Sequence, residues 1–422
     1  MTILSYATDI ESIADDLWHL GPESTVEVGH AKVQKDGEHA AGDTIRMRLL
    51  PEEDRTIVVL SDGLGSGVKA SVLSSLTATM ALEYSASDID PARVGGIIMR
   101  TLPVCSVRKI RYATFTACNI RASGQCDIVN FDNPGPFLVG ESGWSYANLT
   151  KSEPVGDVVV NTSGDRPPTR PSFVSAGRVN VAVGQYLVTV SDGVTQAGVG
   201  SRRFPLGWGA DAFGQFLADT VARLPGISAQ ALADMVISTA RSFDAGSPKD
   251  DISCVVIYRR QPRRLLVATG PPIDPARDAD IARAVDRFPG KTVLAGGTTA
   301  NLVARELGRR VRVDLHNRDP EIPPVSHMDD VDLITEGTIT VSRVVELLES
   351  GTRDPARING ATMLLDRLLA SDEIHFIVGT KINEAHQNPS VPMELEIRRN
   401  LIKRLCTTLE ERYLKHTTIR FV

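Results

Sequence analysis

The period of the apolar positions changes along this chain, and each change predicts an element. From Thr25 to Lys35 apolar and polar residues alternate, with Val26, Val28 and Val33 as inward positions of a strand. Thr56-Ile57-Val58-Val59-Leu60 is a short continuous apolar run, the pattern of a buried strand. Ser61-Asp62-Gly63-Leu64-Gly65-Ser66-Gly67 is a glycine-rich turn. Helical spacing then begins at Val68 and runs to Tyr84, with Val68, Val72, Leu76 and Met80 on the face expected to be buried. A second helix is predicted from Pro91 to about Leu102, with proline where its missing N–H costs nothing.

Strand-like runs follow at Tyr112–Ile120, Gln125–Phe131 and Pro136–Val139, with Asp132-Asn133-Pro134-Gly135 as a turn between the last two. Arg178–Val183 and Gln185–Ser191 read as a hairpin around Gly184. Helical periodicity returns over Asp211–Arg241, and Asp250–Tyr258 closes as a strand. Strands, grouped helices and strands again predict a layered α+β sandwich rather than a parallel wound sheet. Gln261-Pro262-Arg263-Arg264 reads as a boundary, giving domains 1–260 and 261–422. Beyond it strands alternate with helices: Leu265–Ala268, Thr292–Leu294, Asp332–Thr335 and Glu373–Val378 are strands, and helices start at Ala300 and Val341. This is the grammar of a smaller α/β domain.

Composition narrows the function classes. The chain has 422 residues, 42% hydrophobic and 23% charged, which suits two or three globular domains. A net charge of -6 leaves no basic excess for nucleic-acid phosphates. The pairs Arg202-Arg203, Arg259-Arg260 and Arg263-Arg264 read as solvated loop ends. No apolar run is long enough to span a bilayer, and Met1–Leu20 has no secretory pattern. Cys105, Cys118, Cys126, Cys254 and Cys406 are odd in number and lack CxxC spacing, so reduced thiols in a cytoplasmic protein are expected.

Four acidic sites carry the chemistry. Asp43 follows Gly42 just before a strand; Asp62 and Asp192 each end a strand in Ser-Asp-Gly; Asp250-Asp251 precedes the strand Ile252–Tyr258. Carboxylates at strand ends are rigidly placed, and several converging would repel one another unless a cation stood between them. Oxygen ligands without His or Cys favour Mg²⁺ or Mn²⁺ over Zn²⁺. Glycine after the aspartate would let a backbone carbonyl approach such an ion. Two ions bridged by a carboxylate can activate a water and neutralise a phosphoryl group, so no nucleophilic side chain is needed.

Taken in order, Gly-Asp, Val-Leu-Ser-Asp-Gly-Leu-Gly-Ser-Gly, Thr-Val-Ser-Asp-Gly-Val and Lys-Asp-Asp-Ile-Ser-Cys-Val-Val resemble the PPM (PP2C-type) protein phosphatases over about residues 25–258. Within them the chain is most similar to the bacterial branch typified by sporulation stage II protein E. The resemblance implies a β-sandwich flanked by helices, with a dinuclear Mn²⁺ or Mg²⁺ site. Asp62 would bridge both ions and the Gly63 carbonyl would complete one shell. Asp192 and Asp250 would bind the second ion, and Asp43 would hold a metal or its water. Asp251 is the ambiguous neighbour, since the family places asparagine or aspartate there. The implied reaction is hydrolysis of phosphoserine or phosphothreonine on a protein such as a STAS-domain regulator, with a homodimer as a possible assembly. The phosphate-holding arginine of eukaryotic members has no evident equivalent; Lys32, Lys35 and Lys69 could take its place, but exposed surface lysines are the favoured reading of all three. In similar proteins, movement of the helix after the Ser-Asp-Gly turn switches activity.

The second domain says less. Gly296-Gly297-Thr298-Thr299 opens a helix whose free N–H groups suit an anion, and Glu336, Thr338, Asn383 and His386 lie on comparable loops. Ordinary strand-to-helix punctuation with threonine as N-cap explains the same residues equally well. A regulatory, ligand-sensing role is one expectation. The alternatives to an active phosphatase are a signalling scaffold without turnover and a C-terminal domain with its own small-molecule activity.

Overall fold

The computed structural model describes residues 2–4, 23–38, 40–50, 53–63, 65, 67–87, 89–101, 113–159, 169–314, 319–352, 354, 357–380, 391–413 and 415–422. The chain divides into two units, Ser24–Gln261 and Met1–Glu23 with Pro262–Val422. The division departs from 1–260 at its start, because β1 (Thr2–Leu4) pairs in parallel with the last strand of the chain.

The unit Ser24–Gln261 is a two-sheet sandwich. Its strands are β2 (Thr25–Val33), β3 (Thr44–Leu50), β4 (Arg55–Gly63), β5 (Ala113–Arg121), β6 (Gln125–Phe131), β7 (Phe137–Gly140), β8 (Gly143–Tyr146), β9 (Thr150–Val159), β10 (Thr169–Asn180), β11 (Tyr186–Val190) and β12 (Ile252–Arg260). One sheet has the order β3-β4-β5-β6-β10-β9 and the other β2-β12-β11-β7-β8. Helices α1 (Gly67–Ala86) and α2 (Pro91–Thr101) cover the first sheet. After the short α3 (Asp192–Thr195), α4 (Ala210–Arg223) and α5 (Ala229–Phe243) cover the second.

The continuous apolar runs are explained by this layering. In β4, Ile57 and Val59 pack with Ala78 and Ala81 of α1, while Val58 and Leu60 pack between the sheets with Ile128, Leu187 and Ile257. A strand buried on both faces has no polar face to alternate with. Val26 and Val28 join the inter-sheet layer, but Val33 is of opposite parity and packs on the α4–α5 side.

Several expectations are corrected. Arg178–Val183 and Gln185–Ser191 are not a hairpin: β10 pairs with β6 and β9, whereas β11 pairs with β12 and β7, so the Gly184 turn passes from one sheet to the other. Asp211–Arg241 is two helices, broken at Leu224-Pro225-Gly226. Arg259 and Arg260 are not solvated ends. Arg259 donates to the carbonyls of Ala122 and Val181, and Arg260 pairs with Glu27 at 2.6 Å. Arg264 pairs with Glu373 at 2.7 Å. Cys118, Cys126, Cys254 and Cys406 are buried free thiols; Cys105 lies outside the described residues.

The largest correction concerns α1. Val68, Val72 and Leu76 are 70%, 60% and 46% exposed, and the buried face is Ala70, Ser74, Thr77, Ala78, Ala81 and Leu82. Small residues let the helix lie close on β4, and Ser74 bonds to Thr44 of β3 through their hydroxyls at 2.8 Å. Hydrophobic spacing marked the wrong face because packing distance, not apolarity, decides which face fits.

The second unit is doubly wound. Its strands are β13 (Arg264–Thr269), β14 (Lys291–Ala295), β15 (Arg312–Val313), β16 (Ser326–Met328), β17 (Val331–Thr335), β18 (Glu373–Val378) and β19 (His416–Phe421). The sheet order is β1-β19-β18-β13-β14-β17-β16-β15, parallel from β1 to β17. Helices α6 (Asp278–Arg287) and α7 (Gly297–Leu307) cover one face; α8 (Thr338–Ser350), α9 (Gly360–Ala370) and α10 (Val391–Tyr413) cover the other. The strand order reverses between β13 and β18, as in doubly wound α/β folds.

The exposed stripe of α1 predicts a specific stability pattern. Val72→Ala should change unfolding stability by less than about 0.5 kcal/mol, as surface substitutions do. Ala78→Leu, at a fully buried position, should cost about 1–3 kcal/mol by overpacking. Chemical denaturation of both variants checks this; a large loss in Val72→Ala would contradict the observed orientation of the helix.

Candidate metal centre

Elements from both sheets bring the acidic residues to one end of the sandwich. Asp43 lies just before β3, Asp62 near the end of β4, Asp192 at the start of α3 after β11, and Asp250 just before β12. The carboxyl groups of Asp43, Asp192 and Asp250 all act electrostatically on Asp62. Asp62 and Asp192 lie close enough for each carboxyl to shift the other's pKa.

Asp43 is the most confined. Its residue is 2% exposed, and neither carboxylate oxygen has a hydrogen-bond partner. The hydroxyls of Ser191 and Ser253 lie near enough to favour its ionised form, but neither makes a bond of ordinary geometry to it. Burial dominates and pushes its pKa up to about 7, with the Asp251 charge adding to the rise. Asp62 keeps some contact with solvent, yet loss of hydration first and the three neighbouring carboxylates next push its pKa well above the usual range. Burial likewise raises Asp192, and raises Asp250 to about 6 with help from Asp192; the Lys35 ammonium pulls Asp250 the other way.

The surroundings fix these groups in place. Gln196 donates to Asp192 Oδ2 at 2.8 Å, and the Asp251 N–H donates to Asp250 Oδ1 at 2.9 Å. Lys32 Nζ donates to the Asp43 carbonyl at 3.4 Å. The glycines after Asp62 and Asp192 have a packing reason. A Cβ on Gly63 would stand 2.3 Å from the Ala70 carbonyl oxygen, and one on Gly193 would stand 2.1 Å from that of Asp251. The Gly63 carbonyl oxygen itself lies toward the Asp43 loop, 3.5 Å from where a Cβ on Gly42 would be. Leu64 and Ser66 of the same turn lie outside the described residues.

The predicted acids are therefore assembled, with one difference among them. Both oxygens of Asp251 are taken by backbone N–H groups, whereas those of Asp43 are taken by none. Sequence reading missed Asp132, whose charge acts on Asp192 from the turn after β6. It has a left-handed φ of 56°, held by hydrogen bonds among Thr114, Thr116, Asn130 and Asn133. Its turn motif hid it, although it ends a strand as Asp62 does.

Buried carboxylates with unmet oxygens suit a hard divalent cation. Among the described residues, no group of three or more His, Cys, Asp and Glu is placed to hold a metal ion. Mg²⁺ keeps several of its waters and is held by only one or two carboxylates, so the open arrangement fits a hydrated ion.

In the second unit, Gly296, Gly297, Thr298 and Thr299 do lie at the N-terminus of α7. Threonine is not the N-cap: Gly296 and Gly337 cap α7 and α8 without side-chain bonds. The Thr299 hydroxyl accepts from the Gly270 N–H at 2.8 Å, tying α7 to the end of β13. At α8 the Glu336 carboxylate already accepts from the Ile339 N–H at 3.0 Å. Asn383 and His386 lie outside the described residues.

Residues 52–260 match the family model of stage II sporulation protein E (SpoIIE). This stretch is a SpoIIE-type PP2C domain. Among solved structures, the PP2C phosphatase domain with a regulatory-domain fragment of SpoIIE from Bacillus subtilis is 20% identical, at a TM-score of 0.45. That match covers 57% of this chain and 63% of that one, so the chain spans less than two thirds of it. The RsbU and RsbW domains of a Mycobacterium tuberculosis protein are 18% identical over 62% of this chain and 68% of theirs, with a TM-score of 0.41. RsbX in complex with magnesium is 18% identical over 55% and 94%, with a TM-score of 0.35. No curated protein matches the chain. Among the described residues of the chain that carries this SpoIIE-type domain, no helix is long and apolar enough to cross a membrane.

The raised carboxyl pKa values fix the sign of a pH effect. Between the usual carboxylate pKa of 3.8 and the folded values of about 6 and 7, the folded state holds protons that the unfolded state has released. Stability of the metal-free protein should therefore fall as pH rises through that window. Asp43→Asn should flatten this fall and raise the metal-free melting temperature at pH 8. Thermal melts at pH 5 and pH 8 in chelator test it; a wild-type slope unchanged in the variant would show that Asp43 is not the source.

Proposed function

We propose that the SpoIIE-type domain is a divalent-metal-dependent protein serine/threonine phosphatase. The observation that carries the reading is the buried Asp43 carboxylate, with both oxygens unbonded, beside Asp62, itself facing Asp192 and Asp250. Asp43, Asp62, Asp192 and Asp250, with the Gly63 carbonyl, would hold Mn²⁺ or Mg²⁺, two ions in all. Such ions supply an activated water and neutralise charge on a phosphoryl group. The chain supplies position and charge. Gln196 orients Asp192, the Asp251 N–H orients Asp250, and burial keeps bulk water from Asp43. Concentrated negative charge at this end gives the ions their affinity, since like carboxylates this close cannot all ionise alone.

The substrate class is a phosphoserine or phosphothreonine on a regulatory protein in the cytoplasm, a STAS-domain regulator among the candidates, in bacterial signalling. Family membership of residues 52–260 supports this reading. A role for the second unit in sensing a ligand belongs to the same proposal.

The decisive assay is hydrolysis of p-nitrophenyl phosphate and a phosphoserine peptide by the full chain, in chelator, Mg²⁺ and Mn²⁺. Turnover should require the metal, and Asp62→Asn should reduce kcat by at least about 100-fold, the usual scale for losing one charge-stabilising group. Turnover that survives chelation or the Asp62→Asn change would refute the mechanism. Metal uptake without any turnover would favour a binding scaffold.

A further inference from the structure

We infer that Asp251 is a positioning residue of the metal centre and not one of its ligands: its carboxylate locks the Gly42–Asp43 loop to the turn at Lys35, and this lock sets how tightly the site holds a divalent cation. The inference rests on the metal site proposed above.

The geometry separates Asp251 from its neighbours. Its Oδ1 accepts from the Lys35 N–H at 2.9 Å and its Oδ2 from the Gly42 N–H at 2.6 Å. The residue is 5% exposed. Its main chain reaches the other acidic loops. The Ser191 hydroxyl donates to the Asp251 carbonyl at 3.4 Å, and Gly193 packs so closely on that carbonyl that no side chain fits. Its own N–H donates to Asp250. One residue thus touches the segments that carry Asp43, Asp192 and Asp250.

The side chain must be a carboxylate for this task. Two N–H donors aimed at its two oxygens require an acceptor at each. An asparagine would turn an NH₂ toward one of them and leave a buried donor facing a donor. Losing the bond to Gly42 detaches the Gly42–Asp43 loop from Asp251 and leaves the Lys32 bond to the Asp43 carbonyl, at 3.4 Å, as a weaker tie. Support of this kind around a metal site changes affinity by about 10-fold to 100-fold when removed.

The test compares wild type with Asp251→Asn, using Mn²⁺ titration calorimetry and amide hydrogen exchange on the full chain. The variant should bind as many ions as wild type, with Kd weakened about 10-fold to 100-fold. Exchange at the Gly42 and Lys35 amides should be faster already in metal-free protein. One ion fewer at saturation would make Asp251 a ligand, and an unchanged Kd would leave the lock without consequence; either overturns the inference. Should the variant not fold, wild-type exchange decides. If Asp251 turned to a bound ion and gave up an amide to do so, Mg²⁺ would speed exchange at Gly42 or Lys35. Both amides should instead stay protected. Wild-type protein that takes up no Mn²⁺ would refute the metal site and this inference together.

Discussion

Repulsion among buried carboxylates is the constraint around which the first unit is arranged. Asp43, Asp62, Asp192 and Asp250 come from separate segments, and each lies where its charge opposes another's. Nothing local to any one segment would hold them there. The force that does is apolar burial in three layers, helix on sheet, sheet on sheet and sheet on helix. Residues such as Ile57, Leu187 and Val256 are fully buried in those layers, and the strand ends they anchor have no freedom to spread apart. A cation at this end would gain what the acids lose by being close.

Much of this was legible in the sequence because it depends on short contexts. Ser-Asp-Gly at a strand end fixes both the element and the acid, so Asp62 and Asp192 were readable, as were Asp43 and Asp250 beside their strands. Continuous apolar runs gave β4 and β12 for the same reason: both faces are buried. What stayed hidden depends on contacts distant in the chain. The partners of β10 are β6 and β9, not the following β11, and no local pattern distinguishes a hairpin from a passage between sheets. Asp132 was hidden because a turn motif explains it fully, and its charge matters only through Asp192. The two bonds of Asp251 reach residues more than 200 positions away in sequence.

The second unit shows the same limit from the other side. Its strand–glycine–helix alternation was readable, yet the strand order with its reversal between β13 and β18 was not. At the first of its helix starts, Gly296–Thr299 suggested anion-binding amides, and the Thr299 hydroxyl there accepts from the Gly270 N–H. At α8 the chain places its own carboxylate, Glu336, on the first turn.

Helix α1 joins the fold to the chemistry. Its buried face of alanine, serine and threonine brings its backbone so near β4 that the Ala70 carbonyl occupies the space of a Gly63 side chain. A larger buried face would lift the helix and relax that contact; an apolar stripe turned inward would do so at once. The exposure of Val68, Val72 and Leu76 is thus a consequence of the close approach, not an accident of it. The same approach places the helix beside the site: Gly63 follows Asp62 directly, and the Ala70 carbonyl stands where a Gly63 side chain would be. Burial sets the distance, and the distance requires glycine.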